Sequence, residues 1–231
     1  MKREGAGAVA PGPDVPWGSE WSAEGVISAL EALVTPERRA RLHEVVERRL
    51  GNVTLLMDAP HDPHNGAAVV RTCDAFGVQT LHVVERTEPF LISTRVTQGA
   101  QRWVDVVTHA TPEAALGRLA AGDFTLVASH PQGDLEPAEL LTIARLALVV
   151  GNEHDGICRA LTEAAPHSVR IPMRGFAESL NVSVSAALLL FAATHGRAGD
   201  LPDAERRLLY ARGLFRSLPR AADVLAAHAP R

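Results

Sequence analysis

Several common features are missing from this 231-residue sequence, and each absence narrows what the chain can be. No run approaches the roughly 18 apolar residues that cross a membrane, so no membrane partner is expected. The N-terminus has neither the basic start nor the apolar core of a secretory signal, and the chain reads as cytoplasmic. Only two cysteines are present, Cys73 and Cys158, without CxxC or Cys/His ligand spacing. A disulfide framework and a zinc site are therefore not expected, and both cysteines read as buried small hydrophobes. His61 and His64 have no evident third ligand, so no metal is expected. Neither GxGxxG nor a Gly-Lys-Ser/Thr phosphate loop occurs, which disfavours dinucleotide and P-loop chemistry. The formal net charge is −4, and such a chain does not coat nucleic acid by bulk charge, although a local basic patch still can.

What is present is a hydrophobic content of 46%, enough for a sizeable core. Residues 1–20, rich in Gly and Pro, read as a flexible leader. Helical periodicity begins near Ser22 and resumes after Thr35-Pro36, a cap followed by a first-turn proline, giving an N-terminal helical extension over 21–50. From Val53 short aliphatic runs alternate with helical segments. The runs are Val53–Asp58, Thr80–Glu85, Val104–Thr108, Phe124–Ser129, Leu146–Gly151 and Val169–Met173. Helices are expected at His64–Phe76, Pro112–Ala121, Ile157–Ala165 and Asn181–Thr194. This alternation predicts an α/β domain over 51–196, a mostly parallel sheet with helices on both faces, followed by a helical extension over 197–231. Ligands of such sheets gather at the carboxyl ends of the strands.

Arginines cluster at both ends. Arg38, Arg39, Arg41, Arg48 and Arg49 lie in 36–50, and Arg206, Arg207, Arg212, Arg216 and Arg220 lie near the C-terminus. Glu37, Glu44 and Glu47 dilute the first group, so its members serve either as an ion-paired helix face or as phosphate contacts.

Three loops carry candidate chemistry. The first, His61-Asp-Pro-His-Asn65, opens a helix that runs through Arg71 to Gly77; Asn65 falls in its first turn among free amides, and Arg71 reaches out from its middle, by default as a surface arginine. Six residues separate them by well over a right angle around the helix. The second is Gly151-Asn-Glu153-His-Asp-Gly156, in which Glu153 either orients a ligand or compensates helix charge. The third, Ile171-Pro-Met-Arg-Gly-Phe-Ala-Glu-Ser179-Leu-Asn181-Val-Ser, is held open by Pro172 and Gly175 and presents Ser179 and Asn181 at a helix start.

Taken in order, Asn65 with Arg71, Gly151-x-Glu153-x-x-Gly156, and Ile171-Pro-Met-x-Gly175-x-x-x-Ser179-Leu-Asn181-Val-Ser183 resemble the three motifs of the SpoU, or TrmH-like, branch of the SPOUT RNA 2′-O-methyltransferases. The resemblance runs over roughly 36–193, and Gly99-Ala-Gln-Arg-Trp103 adds to it. It implies a C-terminal trefoil knot, a homodimer for which the apolar helix at Val182–Thr194 suits the interface, and S-adenosyl-L-methionine as methyl donor, held at Ser129, Gly151, Ile171, Met173 and Leu180. It further implies Arg71 as catalytic arginine, with Asn65, Glu153, Ser179 and Asn181 shaping the site. For an RNA substrate the arginine clusters, Arg38, Arg39 and Arg41 among them, are expected to bind through phosphates, since folded RNA is recognised by shape and backbone contacts. The substrate the resemblance implies is tRNA, at the ribose of guanosine 18. A ribosomal RNA, the tRNA wobble nucleotide, and a knotted RNA-binding protein without catalysis remain as alternatives.

Overall fold

A computed structural model of the chain describes residues 15–86, 89–90, 94–152 and 154–228. Its six strands are β1 (Val53–Asp58), β2 (Thr80–Val84), β3 (Asp105–His109), β4 (Thr125–Ser129), β5 (Leu146–Val150) and β6 (His167–Val169). They form one wholly parallel sheet in the order β3-β2-β1-β5-β4-β6. The helices, in chain order, are α1 (Ala23–Leu30), α2 (Pro36–Glu47), α3 (Pro63–Ala75), α4 (Thr94–Thr97), α5 (Pro112–Ala121), α6 (Arg159–Ala164), α7 (Val182–Thr194), α8 (Asp203–Ser217) and α9 (Ala221–His228).

The central strands β1 and β5 are buried at every position, as a sheet covered on both faces requires. On one face Leu55, Met57, Leu81, Val83, Leu148 and Val150 pack under α3 and α7. On the other, Leu56, Val84, Ala147 and Val149 pack under α5 and α6. Helix starts follow from local chemistry. Asp62 accepts the His64 amide at 2.8 Å ahead of Pro63, and Thr111 accepts the Ala114 amide at 3.2 Å ahead of Pro112, each filling an orphan donor of a first turn. Gly77 ends the α3 segment at φ +76°, where a β-carbon would stand 2.9 Å from the Arg48 carbonyl oxygen.

Helices α1, α2, α8 and α9, drawn from both ends of the chain, share a separate core that includes Val26, Leu30, Leu42, Val46, Leu209, Leu214 and Leu225. Part of the supposed leader belongs to it. Trp17 packs on this core, its ring centroid 5.9 Å from that of Phe215 and its indole N–H donated to the Trp21 carbonyl, because a large ring gains more from burial than a short Gly/Pro tether loses in freedom. Residues 1–14 of the expected leader lie outside the described residues.

Two buried arginines dock the helical unit on the sheet. Arg49, 1% exposed, places one nitrogen 2.8 Å from Asp74 Oδ1 and 3.0 Å from the Trp103 carbonyl. Arg212 reaches Asp105 at 2.7 Å. Neither is available to a partner. The last strand also differs from expectation. It ends at Val169 rather than running to Met173, because the Arg170 amide turns to the Leu135 carbonyl and Pro172 has no N–H to offer a ladder. Cys73 is buried, and burial pushes its thiol up to about 12; Cys158 is only half-buried, at the start of α6. Among the described residues no helix is long and apolar enough to cross a membrane, and no group of three or more His, Cys, Asp or Glu side chains is placed to hold a metal ion.

Replacing Arg49 by alanine removes the partner of Asp74 and one of the two donors to the Trp103 carbonyl, Gln79 Nε2 at 2.9 Å being the other, and should lower unfolding free energy by about 3 kcal/mol in urea titrations. A loss under about 1 kcal/mol would show that the docking does not depend on this ion pair. A second outcome concerns His82 and His109, whose ring nitrogens meet at 2.9 Å. Burial, then His109 and Arg118, hold His82 down to about 4, whereas an unfolded histidine takes up its proton near pH ~6.5. The folded pair stays neutral, so stability is full above about pH 6.5 and declines as pH falls toward 4. Denaturation at pH 7 and pH 5 should show the decline, and His82→Gln should reduce it.

Candidate active site

Three strand ends build the site. At the end of β1, Asp58 is fully buried; its Oδ2 accepts the Cys158 amide at 2.6 Å and its Oδ1 lies 2.9 Å from Arg86 Nε. This carboxylate ties β1 to the start of α6. It went unremarked in the sequence, although an acid closing the otherwise apolar run Val-Thr-Leu-Leu-Met was the available signal. Past it the chain turns through Ala59, at φ +46°, into α3.

At the end of β5, Gly151 lies so close to Gly156 that a β-carbon on it would overlap the Gly156 carbonyl carbon and stand 2.5 Å from its oxygen. Asn152 closes the turn. Its amide donates to the Gly156 carbonyl at 3.2 Å, and its side-chain oxygen accepts the His154 and Asp155 amides at 2.9 and 2.8 Å, a short polar side chain mimicking a backbone turn. The Asn152 side chain is 7% exposed, and its Nδ2 has no hydrogen-bond partner among the described residues. Glu153, between them, lies outside the described residues.

After β6 the backbone is held by residues 130–136. Gly133 lies against Val169 and Arg170, and Arg170 is ion-paired to Glu136. Asp134 accepts the Ser168 amide at 2.6 Å and faces His167 Nδ1 at 3.0 Å; the Ser168 amide first, then His167, hold its carboxyl well below the usual range. The chain then runs exposed to Asn181, which caps α7 by accepting the Ser183 amide at 2.9 Å. Asn181 Nδ2 donates to Asn65 Oδ1 at 3.1 Å, so the first and third loops meet.

These loops surround a cavity of about 420 Å³, within the range of small-molecule clefts. Ser129, Gly151, Ile171, Met173 and Leu180 all line it, as do Ser179 and Asn181; Asn152, Glu178 and Ser185, not singled out from the sequence, line it too. Asn65 and Arg71 are not on its wall. Arg71 is exposed on α3 and has no ion-pair partner among the described residues. Arg38 is bonded to Ser217 Oγ at 3.0 Å and lies 6.0 Å from the Trp103 ring; Arg41 pairs with Glu44 at 2.7 Å; Arg39 is half-buried. A larger hollow, about 960 Å³, lies between the sheet, α5 and α8. It opens near Thr54, Thr80 and Asp105, at the amino ends of strands, and shares no residue with the three loops; ligands of parallel sheets bind at the opposite end.

A sequence model of the SpoU rRNA Methylase family matches residues 52–191. The tRNA (guanosine(18)-2′-O)-methyltransferase of Escherichia coli (strain K12) is 31% identical over 199 residues, covering 82% of this chain and 87% of the relative. Among solved structures, the A. aeolicus TrmH/SpoU tRNA modifying enzyme superposes with a TM-score of 0.70 at 30% identity, covering 80% of this chain and 98% of that one. An AdoMet-bound rRNA methyltransferase from Sinorhizobium meliloti superposes with a TM-score of 0.57 at 29% identity, over 66% of this chain and 59% of that one.

The contact at Gly151 makes a direct expectation. Gly151→Ala forces the 151–157 turn apart, and should cost about 1–3 kcal/mol of stability in urea unfolding, the usual scale of overpacking. Wild-type stability in that variant would mean that the turn is not held as tightly as the backbone contact implies.

Proposed function

Because the chain belongs to the SpoU rRNA Methylase family, we propose that it is an RNA methyltransferase that places a methyl group on the ribose 2′-hydroxyl of guanosine 18 in the D-loop of tRNA. The observation that carries this reading is the Asn181–Asn65 bond, which brings the start of α3, the helix bearing Arg71, to the mouth of the cavity.

The cavity fits S-adenosylmethionine, the methyl donor. Val150, Ile157, Ile171 and Leu180 offer apolar walls for a nucleoside face, and Ser129, Ser179 and Asn181 offer polar groups among backbone that only glycine allows at 151. Ser129, Gly151, Ile171, Met173 and Leu180 are the proposed cofactor contacts. When bound, the donor supplies an electrophilic methyl group on a positively charged sulfonium.

The residues of this chain then have to place a ribose oxygen and manage its proton. An arginine guanidinium stays protonated at any physiological pH, so Arg71 acts by charge, holding the developing alkoxide or the adjoining phosphate, while phosphate or a relayed water takes the proton from O2′. Asn65 and Glu153 position the arginine and the ribose; Ser179 and Asn181 shape the boundary between donor and acceptor. Arg38, Arg39 and Arg41 on α2 are proposed backbone contacts for tRNA, with Arg41 partly neutralised by Glu44.

The reading extends to a trefoil knot and a homodimer. The knot draws support from residues 130–136 lying across 167–170 without room for a side chain at Gly133. The dimer draws support from Val184, Leu188 and Phe191, 45%, 45% and 53% exposed at one helical stripe of α7, a surface that an isologous contact would cover. Its place of action is the cytoplasm, with its tRNA substrate.

Arg71→Ala should lower single-turnover methyl transfer to a tRNA transcript by about two to three orders of magnitude while leaving donor affinity largely intact. Lysine should rescue poorly, because a point charge lacks the planar fork that holds two oxygens together. Near-wild-type turnover in the alanine variant would remove Arg71 from the chemistry, and mapping the methylated nucleotide would separate guanosine 18 from a ribosomal RNA position or the wobble nucleotide.

A further inference from the structure

We propose that Phe176, with Arg174 beside it, is the platform on which a nucleobase of the RNA substrate stacks as its ribose enters the site; the proposal rests on RNA being the substrate. Phe176 is 108% exposed, its entire ring in water, which is costly unless something covers it. Its place in the fold says what. Met173, three residues before it, and Ser179, three residues after it, both line the cavity, so its Cα lies within about 11 Å of each along even a fully extended chain. Gly175 and Ala177, its immediate neighbours, are too small to shield the ring. Arg174 is exposed and has no ion pair or hydrogen bond among the described residues.

The chemistry of the occupant follows from those neighbours. A ribose 2′-oxygen reaches the cavity mouth only if its nucleotide leaves the stack, and proteins that read splayed-out RNA bases stack them on aromatic rings and arginine planes. An exposed ring two residues from an exposed arginine, within about 11 Å of two residues of a cavity that must admit a ribose, supplies that surface together with a charge complementary to phosphate. A second copy of the chain has a better-suited surface elsewhere: Val184, Leu188 and Phe191 on α7 form an apolar stripe, whereas Phe176 stands between Arg174 and Glu178 in the sequence.

The test uses the full chain, an unmodified tRNA transcript, and a second transcript carrying 2-aminopurine at the target position. Phe176→Ala should raise the KM for tRNA about tenfold or more, the scale of losing one stacked base, and should abolish the quenching of 2-aminopurine on binding. S-adenosylmethionine affinity by calorimetry and the oligomeric state by light scattering should stay as in the wild type. Phe176→Trp should keep both KM and quenching, and Arg174→Ala should flatten the salt dependence of tRNA binding. A wild-type KM and undiminished quenching in Phe176→Ala would overturn the proposal, and so would dissociation of the oligomer, which would place the ring between copies. Failure of the wild-type protein to methylate any transcript would instead remove the RNA reading, and this proposal with it.

Discussion

At Gly133 a β-carbon would stand 2.5 Å from the carbonyl carbon of Val169 and 2.6 Å from the Arg170 nitrogen. Contact this close between two backbone segments lets 130–136 bond to 167–170 as a strand would. His130 donates to the Val169 carbonyl, Leu135 donates to the Ser168 carbonyl, and Arg170 donates to the Leu135 carbonyl. Asp134 fastens the same place from its side chain, with a carboxylate that accepts one backbone amide and one hydroxyl and faces His167. The chain is thereby taken off the sheet at Val169 and delivered to Ile171, both on the cavity wall. The placement of Met173, Ser179, Leu180 and Asn181 depends on that exit point. Hydrogen bonds that are unmade when such segments separate cost more than those made are worth, so the arrangement tends to hold or fail as a unit.

The parts of this arrangement that were legible in the sequence are those governed by local rules. The runs Val53–Asp58 and Pro112–Ala121 appear with the expected bounds, because a buried parallel strand is continuous in apolar character and a Thr-Pro start fixes a helix. The strand expected at Val169–Met173 fails for a non-local reason, the capture of Arg170 by Leu135, which no pattern within the segment announces. Arg49 and Arg212 show the same limit: each sat in a cluster of surface-like arginines, and each is buried against a carboxylate distant in sequence, Asp74 or Asp105. Trp17 read as leader because its partner, Phe215, is at the other end of the chain. Within the site, most of the cavity residues were reached through motif resemblance, whereas Asp58 acts through long-range contacts to Cys158 and Arg86 and Asn152 through turn hydrogen bonds, and neither carried a pattern beyond its identity.

Charge is distributed unequally over the molecule, and the inequality bears on RNA. On the helical unit, Arg41 and Arg48 share Glu44, Arg206 pairs with Glu47 and Asp203, and Arg220 pairs with Asp223. Such exposed pairs contribute little stability, yet each leaves less charge for a phosphate. On α3 and in the loop after β6, Arg71 and Arg174 are exposed without ion pairs among the described residues. A chain of net charge −4 can therefore still present local positive potential, because field depends on local arrangement rather than on the sum.

Asn181 shows how that local arrangement is fixed. Its side-chain oxygen is committed to α7, accepting from the Ser183 amide and hydroxyl at 2.9 and 2.7 Å, so its amino group has to face away from that helix, toward Asn65. The orientation of one amide, often ambiguous where its neighbours do not decide it, is here decided by the cap. The consequence is geometric: the starts of α3 and α7 are held together, and the partial positive ends of two 13-residue helices converge beside the cavity. A negatively charged group placed there would meet dipoles already oriented by the fold. The Asn65–Asn181 bond is what makes the two helix ends act on one place.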